Sequence, residues 1–230
     1  MDEATLSKYL DELSEELSAN EPFRWMIQGS IKNAIKPFVK DPNRDQSFQK
    51  LIDIDITQMA YDTVNHVIRL LPSPVEDITV HIFPAIESKG GGACFAPGKI
   101  LLCIRCDELA PWRLKRNIAH EYSHTVRMVQ KPQATAHGFG EAIPYSMRDY
   151  LVFEGLAIVL SESLYAHPAF PPHEVSEESE AQFWATTDFD AVGMDAYMKY
   201  MTKQAYEIAA KIVRNYVAAH NISIIEALDV

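Results

Sequence analysis

The segment from Tyr150 to Leu160 is apolar except for one carboxylate, Glu154, and this charge restricts how the chain can fold. Taking an ionised carboxylate out of water costs several kcal/mol unless a positive group meets it. The segment contains no Lys or Arg, and the nearest basic residue is Arg148. The fold must therefore bring a positive group to Glu154 from outside the segment.

Hydrophobic spacing divides the chain into a helical first third, a short β region and a helical remainder. Apolar residues at helical spacing predict helices in the first third, the last of them at about residues 47–71, before Pro72. Alternating and β-branched residues then predict three strands of a small sheet, mixed or antiparallel: DITVHIFPA, GGGACFA and GKILLCIRC. Helices follow at about residues 111–130, 147–164 and 195–219, and the acidic SEESEAQ is interpreted as a solvated face. Helices, a sheet and more helices in one chain indicate an α+β fold.

Length and charge exclude several classes of protein. A chain of 230 residues fits one domain, which we place at residues 1–230 with a helical N-terminal part at 1–72. The net charge of −11 repels phosphate backbones and anionic lipid, so we expect neither nucleic acid nor membrane as a partner. The acidic start does not resemble a signal peptide, and no apolar stretch reaches the roughly 20 residues that span a bilayer. Three cysteines are consistent with a reducing compartment, so we expect a cytoplasmic protein.

The sequence AHEYSH contains His120, Glu121 and His124 in HExxH spacing. On a helix, positions i and i+4 differ by about 40° and one turn, so both imidazoles project from one face and can bind one metal ion. Glu121 lies about 100° from His120, close enough to reach a water on that metal. Two imidazoles and a carboxylate suit Zn²⁺, which prefers nitrogen, oxygen and sulfur ligands. The alternative is a pair of helix histidines that make ordinary hydrogen bonds.

A catalytic zinc site needs a third protein ligand, with water in the fourth position. The candidates downstream of the motif are Glu154, Glu162, His137, His167 and His173. The three histidines lie in Gly-flanked or Pro-rich loops, where an exposed imidazole is usual, and Glu162 lies at the polar end of its helix, which suits solvent. Glu154 has no other counter-charge, and Gly155 beside it permits the close approach of another backbone. We therefore predict one zinc ion bound by His120, His124 and Glu154.

These residues carry a resemblance to known proteins. HExxH on one helix with a ligand Glu on a following helix resembles the gluzincin arrangement of zinc metallopeptidases. More closely, HEYSHTVR and VFEGLA, with GGGACFAPGKILLCI before them, resemble the bacterial family of unknown function described as predicted zinc-dependent proteases. KQAYEIAAKIVRNYV is similar to the C-terminal helix of that family, where a Gly-Tyr pair is usual and this chain has Ala205-Tyr206. The resemblance covers about residues 77–217 and implies a zincin-like fold, a catalytic core at 77–217 and hydrolysis of a peptide or protein substrate.

A zinc peptidase of this kind needs a base, an oxyanion donor and a strand that binds substrate. Glu121 is expected to be the general base, taking a proton from water and passing it to the leaving amine. The candidate donors to the oxyanion are Tyr206, Tyr145, Tyr150 and His173. The resemblance puts Tyr206 first, although a core aromatic is the plainer interpretation of that residue. KILLCIR or ACFAP would be the edge strand that binds an extended substrate.

Several alternatives stay open. Arg127 fits either a substrate carboxylate or an ion pair, and Asp149 either orients a ligand histidine or serves as a first-turn helix carboxylate. Two other functions compete with peptidase: a non-catalytic zinc-binding or interaction protein on the same fold, and a zinc hydrolase of a non-peptide amide. The intact Glu121 argues against the first, because a purely structural zinc site has no use for a base beside the metal.

Overall fold

The structure is a computed structural model that describes residues 41–73, 75–85, 91–106, 110–130, 145–167 and 175–228, with isolated positions between residues 8 and 40. The helices predicted in the first 40 residues lie outside the continuous part of this description. The loop candidates His137 and His173 also lie outside the described residues.

The described residues form eight helices and three strands. In chain order they are α1 Arg44–Asp53, α2 Ile56–Leu70, β1 Thr79–Ala85, β2 Gly91–Ala96, β3 Lys99–Arg105, α3 Pro111–Gln130, α4 Met147–Leu164, α5 Glu177–Thr186, α6 Gly193–Tyr200, α7 Lys203–His220 and α8 Ile224–Leu228. This order of helices, sheet and helices confirms the predicted α+β class. Within the described part of the chain, no helix combines the length and apolarity that a membrane span requires.

The three strands form one mixed sheet in the order β1-β3-β2. β1 pairs with β3 in parallel, and β2 pairs with β3 antiparallel. β3 is the central strand, and its residues Ile100, Leu101 and Leu102 are buried. KILLCIR therefore cannot be an edge strand. ACFAP starts on β2, which pairs with β3 alone among the described strands. Of the two strands considered for substrate binding, only β2 lies at an edge of the described sheet.

Two predicted helices are each divided in two. The helix predicted at about residues 47–71 is interrupted because Asp55 adopts a left-handed φ of 46° and its side chain accepts a hydrogen bond from the N–H of Gln58 in α2. The helix predicted at about 195–219 is α6 and α7, and the side chain of Thr202 caps α7. Short Asp and Thr side chains bind the free amides at a helix start, so a new helix begins there although the apolar spacing continues.

The acidic segment SEESEAQ forms most of α5, a helix that hydrophobic spacing did not reveal. Ser176 caps it by accepting a hydrogen bond from the N–H of Ser179. Glu177, Glu178 and Glu180 occupy its first turn, where carboxylates are stabilised by the positive end of the helix dipole. The helix is therefore specified by its cap and its charges more than by a buried apolar face.

α3 lies in the middle of the structure and packs against α2, β2, β3 and α4. Ile118 and Tyr122 are fully buried on the face that meets this core. The hydroxyl of Tyr122 donates to the carbonyl of Leu71, 2.8 Å away, and so ties α3 to the end of α2. Because α3 is fixed on several sides, the side chains on its remaining face have a defined position.

α4 is held between α3 and α7. A Cβ atom added at Gly155 would lie 2.4 Å from the carbonyl oxygen of Ala209, so the backbones of α4 and α7 come as close as only glycine permits. The predicted close approach at Gly155 is thus present. It fixes the depth at which α4 presents the neighbouring Glu154.

Candidate metal centre and active site

α3 presents His120 and His124 one helical turn apart, with their Nε2 atoms 3.2 Å from each other. His124 is 4% exposed, and its ring stacks on Phe153 with centroids 4.0 Å apart and planes 7° apart. Its Nδ1 is buried and has no hydrogen-bond partner within the described part of the chain. Stacking on Phe153 therefore sets the orientation of this imidazole. Many metal-binding histidines are oriented instead by a hydrogen bond at their second ring nitrogen.

α4 brings Glu154 to the two imidazoles. Its Oε2 lies 3.2 Å from Nε2 of His120 and 3.5 Å from Nε2 of His124. α4 starts at a capping box in which Ser146 and Asp149 satisfy each other's backbone amides. Asp149 therefore has the helix-end role, the second of its two interpretations. The lone charge of the apolar segment faces the histidines of the HExxH motif.

The spacing of these three atoms fits a zinc ion. Tetrahedral zinc holds nitrogen and oxygen ligands at about 2.0–2.1 Å, which places ligand atoms roughly 3.3–3.4 Å from one another. The Nε2 atoms of His120 and His124 and Oε2 of Glu154 are separated by 3.2, 3.2 and 3.5 Å. Together they are the group of side chains in the described residues that could hold a metal ion.

The electrostatics of the cluster also favour a cation. Burial alone would raise the pKa of Glu154, but the adjacent His124 and His120 hold it well below its usual range. Burial alone would lower the pKa of His120, but the hydrogen bond that its imidazole donates to Glu154 and the charges of Glu121 and Glu154 raise it above its ordinary value. The buried carboxylate of Glu154 is thus stabilised only by a nearby positive charge, which is either a protonated imidazole or a metal ion.

Glu121 lies beside this cluster and against strand β2. It is 5% exposed, and burial raises its pKa, opposed by the charges of His120 and His124. Its carboxylate accepts a hydrogen bond from the backbone N–H of Cys94. A Cβ atom added at Gly92 would lie 2.5 Å from Oε1 of Glu121, so the strand backbone touches the carboxylate. A carboxylate with a raised pKa accepts a proton more readily than an ordinary glutamate does.

Two tyrosine hydroxyls extend the cluster on the other side of Glu154. Tyr197, on α6, donates to Oε1 of Glu154 at 3.2 Å, and its hydroxyl oxygen lies 2.5 Å from that of Tyr206 on α7. Burial and the charges of Glu154 and Glu121 raise the pKa of Tyr206. Tyr206 therefore lies close to the site, and its role as oxyanion donor stays a prediction. Tyr197 was not predicted, because nothing in the sequence distinguishes it from other tyrosines.

The other tyrosine candidates serve mainly as packing. Tyr145 lies with its ring centroid 5.4 Å from those of both Tyr150 and Phe153. Tyr150 is 2% exposed and packs edge-on against the ring of Tyr197, 4.9 Å away. The rings of Tyr145 and Tyr150 thus pack against Phe153 and Tyr197, respectively, and help to hold them in position.

Glu162, the second candidate for the third ligand, is bound elsewhere. Its carboxylate accepts from Nη2 of Arg116 at 2.8 Å and from Nη2 of Arg214, and its side chain is only 15% exposed. The expectation that Glu162 faces solvent is therefore wrong. Two arginines from α3 and α7 compensate its charge, and it joins those helices to α4.

Two further candidates also have other partners. Arg127 is 8% exposed and donates to the carbonyl of Leu228 at 3.0 Å, which matches neither of its two interpretations. His167 stacks on Trp112 with ring centroids 4.3 Å apart. Neither belongs to the metal-binding group.

Comparison with known proteins adds a family to this geometry. A family model described as predicted Zn-dependent protease (DUF2268) matches residues 56–230, most of the chain. The chain belongs to this family. No curated protein and no solved structure matches it. The matched region begins at α2 and contains every residue of the metal-binding group, so the region that carries the family's description also contains a site that fits zinc.

Proposed function

We propose that this member of the family is a zinc-dependent peptidase with a gluzincin-type centre. The observation that carries the proposal is the triangle of ligand atoms from His120, His124 and Glu154, with separations of 3.2–3.5 Å. This triangle leaves one tetrahedral position for water and substrate, as catalytic zinc sites require. When bound, the zinc ion lowers the pKa of a coordinated water from about 15.7 towards roughly 7 and polarises a carbonyl.

Glu121 acts as the general base. It takes the proton from the attacking water and delivers it to the leaving amine. Its raised pKa supports the return of that proton. The N–H of Cys94 and the close backbone at Gly92 hold the carboxylate in one place, which is what proton transfer at hydrogen-bond distance needs.

Substrate binding and oxyanion stabilisation come from the other two sides of the site. The edge of β2 that faces away from β3 pairs with an extended peptide through main-chain hydrogen bonds. This strand touches Glu121, so a peptide bound along it would pass the catalytic base. The hydroxyl of Tyr206 donates a hydrogen bond to the oxyanion that forms as the carbonyl is attacked. The charges of Glu154 and Glu121 act on Tyr206, which supports its place near the reacting atoms.

The test compares bound metal and peptide hydrolysis in the wild type and in Glu121→Gln. We expect one zinc per chain in both proteins, with hydrolysis lost in the variant because the base is gone while the ligands remain. Full zinc occupancy in the wild type without hydrolysis of any member of a peptide library would reject the peptidase. It would leave a non-catalytic zinc protein, or a hydrolase of another amide if such a compound is cleaved.

The ligand set has its own test. Glu154→Ala should lose zinc, because the third ligand and the buried counter-charge both disappear. Glu162→Ala should keep zinc and lose stability, because it leaves the guanidinium groups of Arg116 and Arg214 without their shared carboxylate. Loss of zinc in Glu162→Ala, with retention in Glu154→Ala, would reject the proposed ligands.

A further inference from the structure

The two carboxylate oxygens of Glu154 have different partners. Oε2 faces the imidazoles of His120 and His124, at 3.2 and 3.5 Å. Oε1 accepts the hydrogen bond from Tyr197 at 3.2 Å. One oxygen of Glu154 therefore belongs to the metal-binding group, and the other is hydrogen-bonded to a tyrosine outside that group.

Counting protons fixes the direction of the hydrogen bonds. A carboxylate that serves as a metal ligand is ionised and only accepts, whereas each tyrosine hydroxyl has one proton to donate. Tyr197 gives its proton to Glu154, so the contact between the two hydroxyls must use the proton of Tyr206. The bonds run from Tyr206 to Tyr197 to Glu154. In this arrangement Tyr206 offers only lone pairs to the cleft.

We propose that Tyr197 is a positioning residue for the metal centre. Its hydrogen bond to Oε1 leaves Glu154 to bind the metal through Oε2 alone, and its own oxygen accepts the hydroxyl proton of Tyr206 while no substrate is bound. With Oε1 engaged, Glu154 fills one coordination position, and the fourth stays open for water. A carboxylate free to bind through both oxygens would crowd the water in that position and raise the coordination number above four. Tyr206 donates to an oxyanion only after its O–H turns away from Tyr197, so the donor becomes available when substrate offers a stronger acceptor. This inference rests on the proposed zinc site.

The position of Tyr197 is set by its surroundings. Its ring packs against the buried Tyr150 with centroids 4.9 Å apart, and α6 itself packs against α4. Tyr197→Phe keeps that ring contact and removes only the hydroxyl. The variant should fold, and its defect should appear at the metal.

The experiment measures zinc affinity of the metal-free full chain by competition with a chelator, and the visible spectrum of the cobalt(II) form. Tyr197→Phe should bind zinc roughly 10- to 100-fold more weakly, the usual effect of losing a partner of a metal ligand. Its cobalt absorption should weaken, because absorption falls when a second carboxylate oxygen raises the coordination number above four.

Two variants serve as controls. Tyr200→Phe makes the same change on the same helix, at a hydroxyl that bonds Lys199, and should match the wild type. Tyr206→Phe leaves the bond from Tyr197 to Glu154 in place, so its zinc affinity should also stay at the wild-type value while hydrolysis falls.

The outcomes separate this inference from the proposed function. Wild-type zinc affinity and an unchanged cobalt spectrum in Tyr197→Phe would overturn the role of Tyr197 alone. An equal loss of zinc affinity in Tyr206→Phe or Tyr200→Phe would do the same, because the effect would not depend on the contact with Glu154. A wild-type chain that binds no zinc would reject the proposed function together with this inference.

Discussion

Substituting alanine at Gly92 should impair hydrolysis while leaving zinc in place. The added Cβ would lie 2.5 Å from Oε1 and 2.8 Å from Cγ of Glu121, and 2.6 Å from Cδ2 of Leu102. Ordinary contacts begin near 3.4 Å, so the Glu121 carboxylate must move by about 0.9 Å. A displacement of this size in a reacting group costs about 100-fold in rate, or about 2.7 kcal/mol in activation free energy.

The same change should cost little stability. The three atoms nearest to the new Cβ all belong to side chains, those of Glu121 and Leu102, and none to the backbone. We expect the free energy of unfolding to fall by no more than about 1.5 kcal/mol, in the lower half of the range for overpacked sites. The neighbouring Gly91 provides a matched control, because a Cβ there meets nothing within 4 Å.

The assay measures kcat and KM with a cleaved peptide, zinc affinity by chelator competition and unfolding by urea, for the wild type, Gly91→Ala and Gly92→Ala. The kcat of Gly92→Ala should fall about 100-fold with zinc affinity unchanged, and Gly91→Ala should match the wild type. Full kcat in Gly92→Ala would refute the reasoning. So would an equal loss in Gly91→Ala, since the contact with Glu121 would then be irrelevant.

Three further predictions concern packing, thiols and pH. Gly155→Ala should lower the free energy of unfolding, measured in urea, by about 2 kcal/mol. The added Cβ would lie 2.4 Å from the Ala209 carbonyl oxygen, and this strain exceeds the helix-propensity gain of about 1 kcal/mol. Unchanged or higher stability would contradict the prediction. Burial raises the pKa of Cys94 to about 12 and that of Cys103 to about 11. Alkylation of either thiol at pH 8 should therefore be at least about 100-fold slower in the native chain than in the unfolded chain. Similar rates in the two states, measured by mass spectrometry, would contradict the prediction. The pKa of His120 is raised above the ordinary histidine value of about 6.5, so protons should begin to compete with zinc above that pH. Zinc affinity should therefore fall as the pH decreases through this region. A zinc dissociation constant that does not change between pH 5 and 8 would contradict the prediction.

The contacts of the metal-binding group could be predicted because they depend on simple rules. The i, i+4 spacing of His120 and His124 is a property of any helix, and a lone charge such as Glu154 in an apolar segment must find a partner. The structure brings these three side chains together. The role of Gly155 followed from the same reasoning, since a glycine beside a buried functional residue permits a close backbone.

Other features depend on contacts between distant segments, which spacing does not encode. Tyr197 matters only because α6 packs on α4, and Glu162 is buried only because two arginines from other helices reach it. The order of the sheet depends on β1 crossing to the far side of β3, which no single strand sequence specifies. The breaks at Asp55 and Thr202 were missed because one capping side chain outweighs a continuing apolar pattern.

The hydrogen bond from Arg127 to Leu228 joins residues 101 positions apart, and this separation has a consequence for synthesis on the ribosome. At about 5–20 residues per second, translation reaches Leu228 roughly 5–20 s after it reaches Arg127. Through that interval the helix with both imidazoles lacks the partner of its buried guanidinium, and Tyr197 and Tyr206 are added only in its final third. A nascent chain can therefore complete the packing of this helix only after Leu228 has been synthesised.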